Sequence, residues 1–162
     1  INNITNKASN TLSFIHRNIK SAPQDIKSTA YTILVCPQLE YASTVWNPYQ
    51  QNHISKIEKV QNQAARFVHH DYDWSHSVTD MKAQLGWQPL QHRRTASRVI
   101  MLYKITHAIV AIPAQPHLEI ASGPFRRNHN YIYVQKHCKA NYQLYSFLPR
   151  TIVQCNDCPH LS

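Results

Sequence analysis

Glycine is nearly missing from this chain: only Gly86 and Gly123 occur in 162 residues. A phosphate-cradling loop, a dinucleotide fingerprint and a nucleophile elbow all need glycine at fixed places, so this scarcity argues against each. Acidic residues are also few. There are 8 Asp and Glu against 17 Lys and Arg, a net charge of +9. That balance favours partners carrying phosphate, through the protein's field and counterion release. Four cysteines (Cys36, Cys138, Cys155 and Cys158) are too few and too unevenly placed for a disulfide scaffold at this size. No apolar run spans a bilayer and no signal peptide is evident. A reducing intracellular setting, nuclear or cytoplasmic and not secreted, is expected, with no membrane and no small-molecule substrate as partner. The start at Ile1 rather than Met suggests a fragment or a processed piece.

Little supports autonomous catalysis. Nucleotidyl transfer needs clustered carboxylates to hold two Mg²⁺ ions. Only Asp71 and Asp73 are close in sequence, in a polar turn where they serve solvation better than metal binding. No local signature marks a Ser or Cys nucleophile. Cys155-x-x-Cys158-x-His160 resembles half a zinc site, but the remaining candidates, His137 and Cys138, are adjacent and chelate poorly. These cysteines read as incidental. The 11 histidines scatter over every segment, which argues against a single site.

What is present is helical periodicity. Hydrophobic residues make up 43% of the chain, enough to fold and too much for a disordered tail. Ile4, Ala8, Leu12, Ile15 and Ile19 predict a helix over 3–20, with Asn3 or Thr5 as its cap. Pro23 opens a second helix whose inner positions would be Ile26, Ala30, Ile33, Leu34, Pro37, Tyr41 and Val45, kinked or split at Pro37. Residues 50–70 give the cleanest pattern: Ile54, Ile57, Val60, Ala64, Phe67 and Val68 on one side, with Lys59, Arg66 and His70 opposite and Lys56 beside them. A helix over about 77–85 stops at Gly86. The next, over about 89–110, would bury Thr95, Val99, Leu102, Tyr103, Thr106 and Ile109. Arg93, Arg94, Ser97 and Lys104 would then face outward, with Arg98 at the boundary.

Beyond Pro113 the pattern changes. Residues 111–129 read as a loop, 130–138 alternate as a strand, and 143–154 form a short helix interrupted by Pro149. The expectation is a mainly α-helical bundle of five or six helices over 1–110. A C-terminal extension, 130–162, would pack on the helices with at most a short strand pair. The two basic faces, Lys56, Lys59, Arg66 and His70 on one helix and Arg93, Arg94 and Lys104 on another, are the candidate nucleic-acid-binding residues. Trp46, Tyr49, Trp74 and Trp87 lie at helix ends and turns, where such rings could stack on bases. Trp46 and Trp87 read as structural plugs.

Several segments, taken in order, resemble a known family. They are Lys7-Ala8-Ser9-Asn10-Thr11-Leu12 with Phe14, Leu39-Glu40-Tyr41-Ala42-Ser43 followed by Val45-Trp46-Asn47-Pro48-Tyr49, Ile57-Glu58-Lys59-Val60-Gln61 with Ala64-Ala65-Arg66-Phe67, Leu85-Gly86-Trp87 with Leu90, Arg93-Arg94 with Arg98, Leu102-Tyr103-Lys104-Ile105 and Phe147-Leu148-Pro149-Arg150-Thr151-Ile152. Together they resemble the region downstream of the polymerase palm in jockey-like, non-LTR (LINE-type) retrotransposon proteins. The family continues through a Trp-Asn pair where this chain has Cys155-Asn156. The resemblance implies a thumb-like extension of an RNA-directed DNA polymerase that helps grip template RNA or the RNA–DNA duplex beside the upstream polymerase domain. Mg²⁺ is expected for that parent polymerase, and no cofactor or catalytic residue for this chain. A structural helical interaction module, or an inert remnant of a transposable element, is the alternative.

Overall fold

The computed structural model describes residues 1–113, 118–119 and 133–157. The fold is mainly helical, as the periodicity predicts. Its elements are α1 (Asn2–Asn18), α2 (Gln24–Ala30), a π-helical turn (Tyr31–Val35), α3 (Cys36–Glu40), α4 (Ser43–Trp46), α5 (Gln51–His69), α6 (Val78–Gln84), α7 (Leu90–Thr106), α8 (Asn141–Leu144) and α9 (Phe147–Asp157). The chain divides into two units, Ile1–Arg94 and Thr95–Ser162. The division therefore falls inside α7, and not after residue 110 as the composition change suggests.

The core of the first unit follows from α5. Ile54, Ile57, Val60, Ala64, Phe67 and Val68 are all buried, as their spacing requires. Ala8, Leu12 and Ile15 of α1 join Ile57, Val60, Ala64 and Phe67 in one cluster with Tyr31, Val35, Cys36 and Leu39. Neither Asn3 nor Thr5 caps α1. Its N-cap is Ile1, without a side-chain bond, and the Thr5 hydroxyl donates back to the Asn2 carbonyl at 3.0 Å.

The predicted inner face of the second helix is overturned. Ile33, Leu34, Tyr41 and Val45 are exposed, Tyr41 by 82%. The buried stripe is instead Lys27, Tyr31, Val35 and Leu39, at steps of four. In an α-helix a four-residue step overshoots a full turn by about 40°, so such a stripe would wander off the core. The π turn at Tyr31–Val35 is wider and unwinds that drift. Its cause is the expected one, Pro37, which lacks an N–H and crowds the carbonyl four residues upstream. Buried Lys27 keeps its ammonium 5.1 Å from the Phe67 ring centroid.

Helix ends explain how a chain short of glycine turns corners. Gly86 sits at φ 68, with Trp87 N–H donating to the Lys82 carbonyl (2.8 Å) and Gly86 N–H to that of Ala83 (3.0 Å). This pair of bonds is a Schellman ending. The same pair closes α5 at His70 (φ 55), through Asp71 to Arg66 and His70 to Phe67. It closes α7 at Ala108 (φ 53), through Ile109 to Lys104 and Ala108 to Ile105.

The second unit packs Leu102 of α7 against Tyr133 and Ile152, with Leu118, Leu148 and Cys155 at the edge. The described part of the predicted strand, 133–138, holds no strand, and its first residues lie outside the described ones. The Asn156 side chain brackets Tyr133: its carbonyl accepts from Tyr133 N–H (3.1 Å) and its amide donates to the Tyr133 carbonyl (3.0 Å), while the next N–H, that of Val134, donates to the Glu119 carbonyl (2.8 Å). Pro149 does not interrupt a helix. It lies in the first turn of α9, where its missing N–H would have had no helical partner.

Candidate nucleic-acid interface

The two basic faces expected from sequence have different fates. On α5, Lys56, Lys59 and His70 are exposed and Arg66 is half-buried, along one outer stripe with Asn52, Ser55 and Gln63. None of these residues is acidic. The one carboxylate of α5 is directed away from the stripe. Glu58 accepts from the Gln91 N–H at 2.8 Å, capping the first turn of α7, with Lys82 Nζ at 3.8 Å. Lys56 Nζ donates to Asn2 Oδ1 at 3.2 Å. From Lys56 to Arg66 the stripe runs about 15 Å along the helix.

On α7 the outward placement of Arg94 is overturned. Arg94 is 2% exposed and Arg98 1%. Arg94 Nη2 donates to the Leu39 carbonyl at 2.7 Å, and its guanidinium carbon lies 4.9 Å from the Trp46 ring centroid. Arg93 is half-buried. Its Nη2 donates to Glu40 Oε2 at 2.8 Å and its Nη1 to Cys36 Sγ at 3.3 Å. Its charge is thus matched by a carboxylate. The inner stripe of α7 is Leu90, Arg94, Arg98 and Leu102, again at steps of four, with Ile105 beyond. Tyr103 and Ile109, predicted inward, are exposed. Lys104 alone of the α7 candidates is exposed, on the second unit.

Burial opposes the charge of both inner arginines and brings each down to about 10, with Glu58 and Glu40 partly restoring Arg94 and the Arg150 cation further lowering Arg98. Arg98 Nη2 donates to Gln154 Oε1 at 2.6 Å. The sequence signal for this arrangement was the spacing 90–94–98–102 itself. It was masked because arginine is rarely a core residue.

The end of α5 carries a feature that periodicity does not reveal. Arg66 Nη1 donates to the Asp73 carbonyl at 2.6 Å, and its guanidinium carbon lies 5.0 Å from the Trp74 ring centroid. Within the same loop the Asp71 carboxylate accepts from Asp73 N–H (3.0 Å) and meets His76 Nδ1 (2.6 Å), while Asp73 accepts from Ser75 N–H (2.9 Å). These bonds hold both carboxyls below the ordinary value of 3.8, the backbone N–H being the larger cause in each. His16 Nε2 meets the Tyr72 hydroxyl at 3.0 Å, which ties the end of α1 to this loop.

Other chemistry is sparse. Among the described residues no three His, Cys, Asp or Glu side chains gather as a metal site, and Cys158 and His160 lie outside those residues. Among them, too, no helix is long and apolar enough to cross a membrane. In the second unit a cleft of about 630 Å³ lined by Val134, His137, Cys138, Phe147 and Ile152 brings no such cluster together. No protein-family model, curated protein or solved structure matches the chain.

Proposed function

We propose that this chain is an accessory nucleic-acid-binding segment of a non-LTR retrotransposon reverse transcriptase, contacting template RNA or the RNA–DNA duplex through the outer stripe of α5. The observation that carries this is the run of exposed Lys56, Lys59 and His70 along one face of α5 with no acidic residue in the stripe, while half-buried Arg66 in the same stripe is engaged by the Asp71–His76 loop, whose Asp71 and Asp73 carboxylates feel its charge. Phosphates would meet Lys56 and Lys59 directly, contacts that position a backbone without reading its sequence. The family resemblance of the sequence supplies the parent enzyme, and the polymerase chemistry with its Mg²⁺ would belong to the upstream domain.

Exposed Ile33, Leu34, Tyr41 and Val45 favour a second reading, a structural module whose apolar side meets another part of the parent polypeptide. Titrating the chain with a fluorescent RNA–DNA duplex over a series of salt concentrations separates the two. Binding whose log K falls linearly with log salt, by about 0.9 per phosphate contact on a duplex, supports the first. Absence of any salt-dependent binding withdraws it in favour of the second.

A further inference from the structure

Trp74 is 89% exposed, an unusual position for so large an apolar ring. It does not project from a loose loop. Arg66 reaches from α5 to bond two carbonyls of the loop, those of Asp73 (2.6 Å) and His76 (3.4 Å). The same guanidinium lies 5.0 Å from the ring centroid and so occupies one face. Asp71 and Asp73 direct their carboxylates to N–H groups within the loop and to His76. The ring is therefore pre-positioned, with its second face toward solvent. Beside it lies the end of the α5 stripe at Arg66 and His70, and His16 of α1 meets Tyr72, two residues before the ring in sequence.

An exposed, fixed aromatic at the head of a row of cations is the combination that single-stranded nucleic acid requires: cations follow the backbone while a ring receives a base. A duplex cannot use it in the same way, because its bases are already stacked. We infer that Trp74, held over Arg66 at the end of α5, is a stacking platform for an unpaired base of a single-stranded nucleic acid whose phosphates lie along Lys59 and Lys56. The inference rests on the nucleic-acid reading above and adds to it the single-stranded character of the ligand at this end.

The test uses the whole chain with two probes of matched length, a labelled oligouridylate of roughly a dozen nucleotides, near the upper range of one binding site, and an RNA–DNA duplex. Trp74→Ala is expected to weaken the oligouridylate about fivefold or more, which is the loss typical of one stacked base. Duplex affinity and the salt slope of both probes are expected to stay unchanged. Trp74→Phe should retain most of the affinity. Quenching of indole emission by the oligouridylate should occur in the native chain and not in Trp74→Phe. Unchanged oligouridylate binding by Trp74→Ala, with its far-ultraviolet circular dichroism native, overturns the platform while leaving the α5 reading standing. Equal losses on strand and duplex overturn it as well. Failure of the native chain to bind either probe overturns the nucleic-acid reading, and the platform with it.

Discussion

Arg94 and Trp46 form a lock across the break between α3 and α4. The guanidinium lies 4.9 Å from the ring, its Nη2 donates to the Leu39 carbonyl at 2.7 Å, and the indole Nε1 donates to the Tyr41 carbonyl at 2.6 Å. The chain reverses here through Ala42 at φ 50, which leaves carbonyls without helical partners. Two long side chains supply those partners. An arginine that reads as a surface cation is thus a structural cross-member. Arg94→Met should cost about 2–4 kcal/mol in denaturant unfolding, because it orphans a buried carbonyl and removes the cation from the ring. It should leave the salt dependence of duplex binding as it was. A loss of salt slope with stability intact would return Arg94 to the nucleic-acid surface.

Phe67 tests the orientation of α5. Its ring is buried against the α1 side, 5.0 Å from that of His16, with the Lys27 ammonium beside it. Phe67→Ala should destabilise by about 3–5 kcal/mol. Ile33→Ser, on the exposed side of the rod that the sequence pattern assigned to the core, should stay within about 0.5 kcal/mol of the native chain. The two midpoints in one urea series check both, and similar losses for the two variants would contradict the observed faces.

Charge reversal separates open cations from paired ones. Lys56→Glu with Lys59→Glu should weaken duplex binding and lower the salt slope by roughly 1 for each phosphate that is no longer neutralised. Arg93→Gln should leave that slope unchanged, because its charge already meets Glu40. Equal effects from the two sets, read in the same titrations, would place Arg93 on the binding face.

The loop that carries Trp74 should resist acid. Asp71 and Asp73 are held below the ordinary value of 3.8 in the folded chain, so their contribution is complete above that value and is lost as pH falls through the lower folded values. Indole emission, compared between the native chain and Trp74→Phe, should therefore show an acid step with a midpoint below 3.8. Asp71→Ala should remove that step. A midpoint at or above 3.8 would show that the loop bonds do not hold the carboxyls.

The sequence was legible where one period ruled. In α5 the apolar and basic residues segregate at 3.6-residue spacing, and both faces lie where that spacing puts them. Gly86 and Ser77 likewise mark the ends of α6, the Ser77 hydroxyl accepting from Asp80 N–H. It was illegible where a different step took over. Lys27–Tyr31–Val35–Leu39 and Leu90–Arg94–Arg98–Leu102 both advance by four and include charged residues. A hydrophobicity pattern passes over them, and partners distant in sequence, such as Phe67 and Trp46, make their burial tolerable. Trp74 was legible as a ring that could stack on bases, but its contact with Arg66 was not, because the two are brought together by a loop whose shape depends on side-chain bonds.

Among the described residues three helices end on left-handed residues, and only one of these, Gly86, is glycine. A side chain at such a place costs roughly 1 kcal/mol or more in the folded chain. It also narrows the wandering of the denatured chain there, which offsets about 0.4–1 kcal/mol. At His70 and Ala108 the two effects oppose each other and leave a small remainder. A polypeptide with so little glycine thus begins its collapse from fewer starting shapes. Its corners are set by which carbonyls are left to be reached, rather than by looseness built into the backbone.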